Sequence, residues 1–272
     1  MFCPKCGNQI PDAPENAPKS NKILIVCAFV ICILVSFFGG RLVGKNSTPD
    51  KTEGKGYNTA EEAMQAFAEA FAKRDIDKMY SCCAVESYIA NFDYEEYLEE
   101  LDYFYPGYLT FIGSNPNNLS LLYEQRKGNL ASAFYSMYLY ASLPEDSPLF
   151  TENFIDMDEY DEDTIIEMLE DADSLVDIKV EEVKKASKYL PSSLGLADIS
   201  YASYEDIFNA DVENMAAKLD IGGDEFILFA DVIEFDGKWY ILTPNQELCG
   251  IFDISYYTYG LIREEIIDDY DD

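Results

Sequence analysis

Apolar positions recur along this chain with three different spacings, and the changes between them divide it into segments. From Ile23 to Gly40, "ILIVCAFVICILVSFFGG" is an uncharged run between Lys22 and Arg41. Its length is close to the roughly 20 residues that cross a hydrocarbon core as a helix. It is too long and lacks the small-residue cleavage site of a signal peptide. Val26 and Ile31, preceding Cys27 and Cys32, are too large for a lipoprotein site. The expectation is a transmembrane helix over residues 21–44, meeting lipid through residues 23–43. The polar, Gly-, Ser-, Thr- and Pro-containing stretch from Lys45 to Asn58 then reads as a tether.

Helical spacing follows. "TAEE" at Thr59–Glu62 is a capping box, and Ala63, Phe67, Ala70 and Phe71 continue an amphipathic helix to about Lys73. Asp75 opens a second short helix, "DIDKMYSCC", and Asp93–Phe104 a third. "NLSLLYEQRKGNLASAFYSMYLYASL" is expected to be helical with an interruption near Gly128, and Asp161–Val176 to be helical after an acidic loop. Alternation takes over at Ile178, which starts a strand. In "DVENMAAKLDI" both periods fit; the "GGD" that follows selects strand. "EFILFADVIEF", the Asp236-Gly237 turn and "KWYIL" complete a three-strand antiparallel meander. The last stretch, from Ile254, reads as a short helix with an acidic end.

Helices first and an antiparallel sheet last make the fold class α+β. "YNTAEEAMQAFAEAFAKRDIDKMYSC" with "ADVIEFDGKWYIL" resembles the opening helices and closing strands of NTF2-like (cystatin-like cone) domains. The order "FCPKCGNQIP", span, tether and such a domain resembles a bacterial family of zinc-ribbon, single-pass membrane proteins with an extracytoplasmic NTF2-like domain, itself of uncharacterised function. The resemblance covers about the first ninety residues and Ile178–Pro244. It implies a curved sheet packed with helices around a pocket, which relatives use for small ligands, protein contacts or catalysis. It also implies a second CxxC in the head, which this chain lacks. The expected organisation is a half knuckle at 1–20, the span at 21–44, a tether at 45–58, an NTF2-like domain at 59–250 and a C-terminal helix and tail at 251–272. The domain carries a helical insertion at about 93–176.

Charge sharpens this picture. The net charge is −33, and it is uneven. Residues 1–56 hold seven Lys/Arg against four Asp/Glu, while the rest of the chain holds twelve against forty-eight. Abundant Tyr and Phe separate the acidic part from a disordered acidic tail. Nucleic acid is excluded as a partner, because phosphate binding needs clustered cations. Solubility explains the charge in the plainest way; a cationic ligand or partner is the more specific reading.

Candidate chemistry is sparse. Cys3 and Cys6 form a zinc knuckle, yet a structural zinc takes four ligands and the chain has no histidine. Three arrangements remain open: two chains pooling their thiolates in a homodimer, Asp12 or Glu15 completing a mixed site, or a head that binds no metal. Asp156, Asp158 and Glu167 match positions 1, 3 and 12 of a calcium loop. Tyr160 and Asp161 break it at positions 5 and 6, so a solvated loop is the reading. Asn91–Phe111 is rich in aromatics, as an inner helix face is. A bridge between Cys249 and Cys82 or Cys83 is open to geometry. "NST" at Asn46 and "NLS" at Asn118 match the glycosylation pattern, which means little if the chain is bacterial, as the resemblance implies. Without histidine, Ser–His and Cys–His nucleophile pairs are impossible, and no catalytic residue or organic cofactor is singled out.

Orientation rests on the knuckle. Lysines and arginines number three before the span and four after it, which decides nothing; free thiolates favour a reducing compartment, placing the N-terminus in the cytosol and the acidic domain outside the cell membrane. The expected function is a membrane-anchored, non-catalytic binding or sensory module of the cell envelope, holding a ligand or protein partner in its acidic domain. A hydrolase or isomerase acting from the cone pocket, and a structural subunit of a membrane complex, are the alternatives. Carboxylates converging in a deep apolar pocket would mark the enzyme, and a pocket filled by Tyr and Phe the binding module.

Overall fold

Thr59 opens the first helix as the capping box requires: its hydroxyl accepts from the Glu62 amide at 3.1 Å, and α1 runs Ala60–Ala72. The reciprocal arm differs, since Glu62 reaches past the cap residue to the Asn58 amide at 3.0 Å. Helix α1 ends where Arg74 turns left-handed (φ 55°) and the Asp75 amide bonds back to Ala70, a Schellman-type stop. Asp75 then caps α2, Ile76–Cys82, through the Lys78 amide. The structure is a computed structural model of the 272-residue chain and describes residues 51–99, 116–143, 163–164, 166, 177–191, 202–245, 247–252, 254 and 258–270. Contacts divide the chain into two units, 1–50 and 51–272, and every described residue belongs to the second. Cys3, Cys6, the Ile23–Gly40 run and the Asp156–Glu167 loop match lie outside the described residues, apart from Asp163, Thr164 and Ile166, which are helical. Among the described residues no helix is long and apolar enough to cross a membrane.

The remaining elements, in chain order, begin with α3 (Glu86–Asn91), α4 (Tyr94–Glu99), α5 (Pro116–Ser142), β1 (Ile178–Lys185) and α6 (Ala202–Phe208). They continue with β2 (Val212–Ile221), β3 (Asp224–Phe235), β4 (Lys238–Pro244), α7 (Glu247–Ile251), β5 (Leu261–Arg263) and α8 (Glu264–Asp269). The α+β class holds, with helices first and the meander β2–β3–β4 after them. β1 joins the outer side of β2, so the order is β1-β2-β3-β4, all antiparallel. Glu181 is an extra residue in β1 and Leu242 in β4, where the pairing registers shift; such bulges bend their strands. The Asp236-Gly237 hairpin is formed with positive φ at both residues, matching the twist of the flanking strands.

Three expectations are corrected. The segment from Ile254 is not one helix: Leu261–Arg263 pairs with Phe226–Leu228 as β5. It takes the stretch of the β3 edge that β4, pairing only with Ala230–Phe235, leaves open. Helix α5 passes through Gly128 without interruption. An exposed helical glycine costs only about 1 kcal/mol, and Leu130, Phe134 and Met137 are buried behind it. The expected tether is also ordered from Lys51 onward: Glu53 is 3% exposed, and Tyr57 pairs with Trp239 as an isolated bridge.

Alternation sorts the sheet into two buried faces. Met215, Ala217, Leu219 and Ile221 of β2, with Phe226, Leu228, Ala230 and Val232 of β3, face α1, α2 and α5 in the largest core cluster. Burying Phe67 and Phe71 of α1 against this face contributes about 1.5–3 kcal/mol each. The opposite face is covered in two patches. Ile227, Phe229 and Ile262 pack with Leu248, Phe252 and Ile267, while Ile233, Phe235, Tyr240 and Leu242 pack with Ile207 and Phe208. Strand β3 is therefore buried on both sides, which explains its near-continuous apolar run. Arg126 ties α5 to the rest: its Nε donates to the Ala84 carbonyl at 3.1 Å, its Nη2 to the Leu242 carbonyl, and the guanidinium lies 4.2 Å from the Tyr88 ring centre.

Candidate functional site

Where the resemblance places a pocket, between helices and sheet, side chains fill the space. Met64, Phe67 and Phe71 of α1 and Phe134 and Met137 of α5 meet Met215, Leu219 and Phe226, all within 2% of full burial. Phe134 sits 5.8 Å from the Phe67 ring and 5.2 Å from Tyr80. Among the described residues two carboxylates are buried, Glu53 and Asp231.

Both buried carboxylates are held by hydrogen bonds. Asp231, 1% exposed, points from β3 to the opposite face, between its two apolar patches. It accepts from the side-chain amides of Asn214 at 2.6 Å and Asn245 at 3.0 Å. Asn245 in turn accepts from the Leu248 amide, so this group pins the exit of β4 to the start of α7. Glu53 accepts from the amides of Val85 and Ser87 and from the Ser87 hydroxyl at 2.6–2.9 Å. A sequence signal existed for Asp231: it is one carboxylate inside the otherwise apolar "FILFADVI". Nothing marked Glu53, which sits in a stretch that reads as linker.

Among the described residues, two surface clefts are rich in carboxylates. One, of about 470 Å³, lies between α1 and β1 and is lined by Tyr57, Glu61, Glu62, Gln65, Ala66, Glu69 and Val183. Tyr57 anchors its floor: its hydroxyl accepts from Lys78 Nζ at 3.0 Å and lies 3.2 Å from Cys82 Sγ. Burial, then the Cys82 contact, holds the Tyr57 phenol above its ordinary range, so it stays neutral. Glu69 is held below the usual carboxylate value by bonds from Gln65 and Lys73 and stays charged. The other cleft, of about 450 Å³, collects Glu205, Asn209, Asp211, Glu234 and Asp236 around the β3–β4 hairpin. No group of three or more metal-type ligands is assembled among the described residues.

Cys82, Cys83 and Cys249 are unbridged and buried. Burial pushes all three thiols up, which keeps them protonated and poor nucleophiles. In the described part of the aromatic-rich segment no side chain of α4 is buried; Phe92 and Tyr97 are partly buried and join Tyr88, Phe208 and Phe235 in ring contacts of the second face.

No family model matches the chain, and no curated protein matches it. Among solved structures it is similar to a cystatin-like protein from Ruminococcus gnavus ATCC 29149, at 16% identity and a TM-score of 0.38 over 67% of this chain. The chain spans 39% of that protein's length.

Proposed function

We propose that this chain is a membrane-anchored, non-catalytic binding or sensory module whose acidic domain, an NTF2-like cone, receives a cationic partner. The observation that carries this reading is the filled interior. A pocket enzyme needs carboxylates converging in an apolar cavity, whereas here Phe and Met side chains occupy the space between helices and sheet. Binding then falls to the outside. The α1–β1 cleft offers an aromatic floor at Tyr57 and three carboxylates at Glu61, Glu62 and Glu69, which suit a Lys- or Arg-bearing peptide. The Ile23–Gly40 run supplies the anchor, with the N-terminus in the cytosol and the domain outside. Cys3 and Cys6 give half of a tetrahedral thiolate set, so a zinc in the head needs a second chain, and anchoring both chains in one bilayer raises their local concentration.

The test is a titration of the full-length chain in nanodiscs with fluorescent oligolysine. Replacing Glu61, Glu62 and Glu69 by Gln is expected to weaken binding about tenfold, since three surface carboxylates together contribute roughly 1–2 kcal/mol. The same three changes at Glu95, Glu96 and Glu99 remove equal charge from α4 and should do far less. Equal loss in both variants would reduce the effect to net charge and sink the cleft. The topology is checked on intact cells with a membrane-impermeant protease. Loss of the acidic domain is expected; protection until lysis would put that domain in the cytosol.

A further inference from the structure

The segment "KTEGKGYN" reads as a flexible linker, yet the structure clamps it. Two carboxylates act reciprocally. Glu86, at the start of α3, accepts from the amides of Thr52 at 2.7 Å and Glu53 at 2.9 Å. Glu53 accepts from Val85 and Ser87 at that helix start. Gly54 bonds the Ser81 carbonyl, and Tyr57 exchanges two backbone bonds with Trp239 on the outer edge of β4. The two glycines serve close approach. A Cβ on Gly54 would stand 2.7 Å from the Ser81 carbonyl oxygen, and one on Gly56 would stand 2.6 Å from the Tyr240 ring.

The Thr52 hydroxyl meets the Tyr123 hydroxyl of α5, and Lys238 Nζ donates to Asn58 Oδ1 at 2.7 Å. Tyr57 is also the floor of the α1–β1 cleft. A single stretch of eight residues thus joins three things: the cleft, the α2–α3 turn, and the chain leading back through Asp50 to the apolar run. We propose that Lys51–Asn58 is a strap that opens without global unfolding and carries a change in the cleft to that chain. The coupling rests on the reading of the cleft as a binding site; the docking of the strap does not. Its bonds are two carboxylates, a few backbone contacts and single side-chain contacts at Thr52, Tyr57 and Asn58 rather than a ladder, so loss of the Glu86 carboxylate frees two backbone donors at once. Elements held this way open below the global transition. Tyr57 lines the cleft beside Glu61 and Glu62, and a shift of Tyr57 on binding pulls on its two backbone bonds to Trp239.

Hydrogen exchange by mass spectrometry on the full-length chain in nanodiscs tests this. In the wild type, amides 52–57 are expected to exchange at least tenfold more slowly than an unstructured chain, and faster than those of β3. Glu86→Ala should release them by about tenfold or more while β3 stays protected. No protection in the wild type overturns the strap. So does simultaneous loss of 52–57 and β3 in Glu86→Ala, because the segment would then be an inseparable part of the core. Oligolysine, whose binding is followed separately by anisotropy, should change exchange at 52–57 at least threefold. Binding with no such change overturns the coupling and leaves the cleft standing. Absence of binding removes the cleft reading and the coupling with it, while the Glu86→Ala result still decides whether the strap opens.

Discussion

Gly260→Ala is expected to destabilise the domain by about 5 kcal/mol, the largest loss from any one-methyl change in the described fold. Gly260 stands where β4 has left the β3 edge and β5 is about to join it. Its carbonyl accepts from the Phe229 amide at 2.9 Å, and the Phe229 carbonyl accepts from Asn245 at 2.9 Å. A Cβ at position 260 would lie 2.5 Å from the Asn245 oxygen and 2.8 Å from the Phe229 oxygen. Both are backbone atoms, so no rotamer change relieves the contact. The φ of 78° adds about 1–2 kcal/mol for any L side chain. Overpacking adds about 1–3 kcal/mol, and the two strained backbone bonds about 1 kcal/mol each. Against a total stability of about 5–15 kcal/mol, much of the variant should be unfolded at modest urea. Trp239 is the chain's one tryptophan and is 9% exposed, so its fluorescence reports the transition. Gly128→Ala is the control: nothing lies within 4 Å of its Cβ position, and the helix should gain up to about 1 kcal/mol. A Gly260→Ala midpoint within about 1 kcal/mol of the wild type would mean that the strands are not held at this separation.

Those two glycines also show how far the sequence could be read. The capping box and helical spacing located α1, Asp75 the start of α2, and the "GGD" and Asp-Gly turn signals the strands of the meander. "EFILFADVIEF" was legible as a strand even though it is buried on both sides, since the Asp-Gly turn fixes its end. Glycine is where the reading went astray. Gly128 looked like a helix break but lies on a solvent face, where a missing side chain costs little. Gly54 and Gly56 looked like linker flexibility but mark close approach, and only the partner atoms at Ser81 and Tyr240 distinguish the two. β5 was missed for a related reason: three residues are too few to show a period, and their strand character comes from an edge that β4 vacates. At the candidate site, Glu61, Glu62 and Glu69 share α1, with Glu62 and Glu69 two turns apart; only the fold adds Tyr57 and Val183 from separate segments.

Phe134→Ala carries the other large expected effect, about 3–5 kcal/mol, and it decides what the middle of the chain is for. The resemblance leaves residues 93–176 unmatched, as a helical insertion in the domain. Helix α5 lies inside that range, yet Tyr123, Leu130, Ala133, Phe134, Met137 and Tyr140 all belong to the principal core. Phe134 is 2% exposed and packs between Phe67 of α1 and Tyr80 of α2. Truncating it removes a buried ring and leaves a cavity that these neighbours close only in part. Tyr135, the next residue, is 64% exposed, and Tyr135→Ala should stay within about 0.5 kcal/mol, as surface changes do. The two variants alter the same helix at adjacent positions, so a difference between them isolates packing from helix propensity. Urea unfolding followed at Trp239 reads both. If both changes are small, α5 is peripheral, the space between helices and sheet is open to a ligand, and the case against a pocket enzyme falls. If only Phe134→Ala is costly, that space is structural core and α5 is an integral part of the domain.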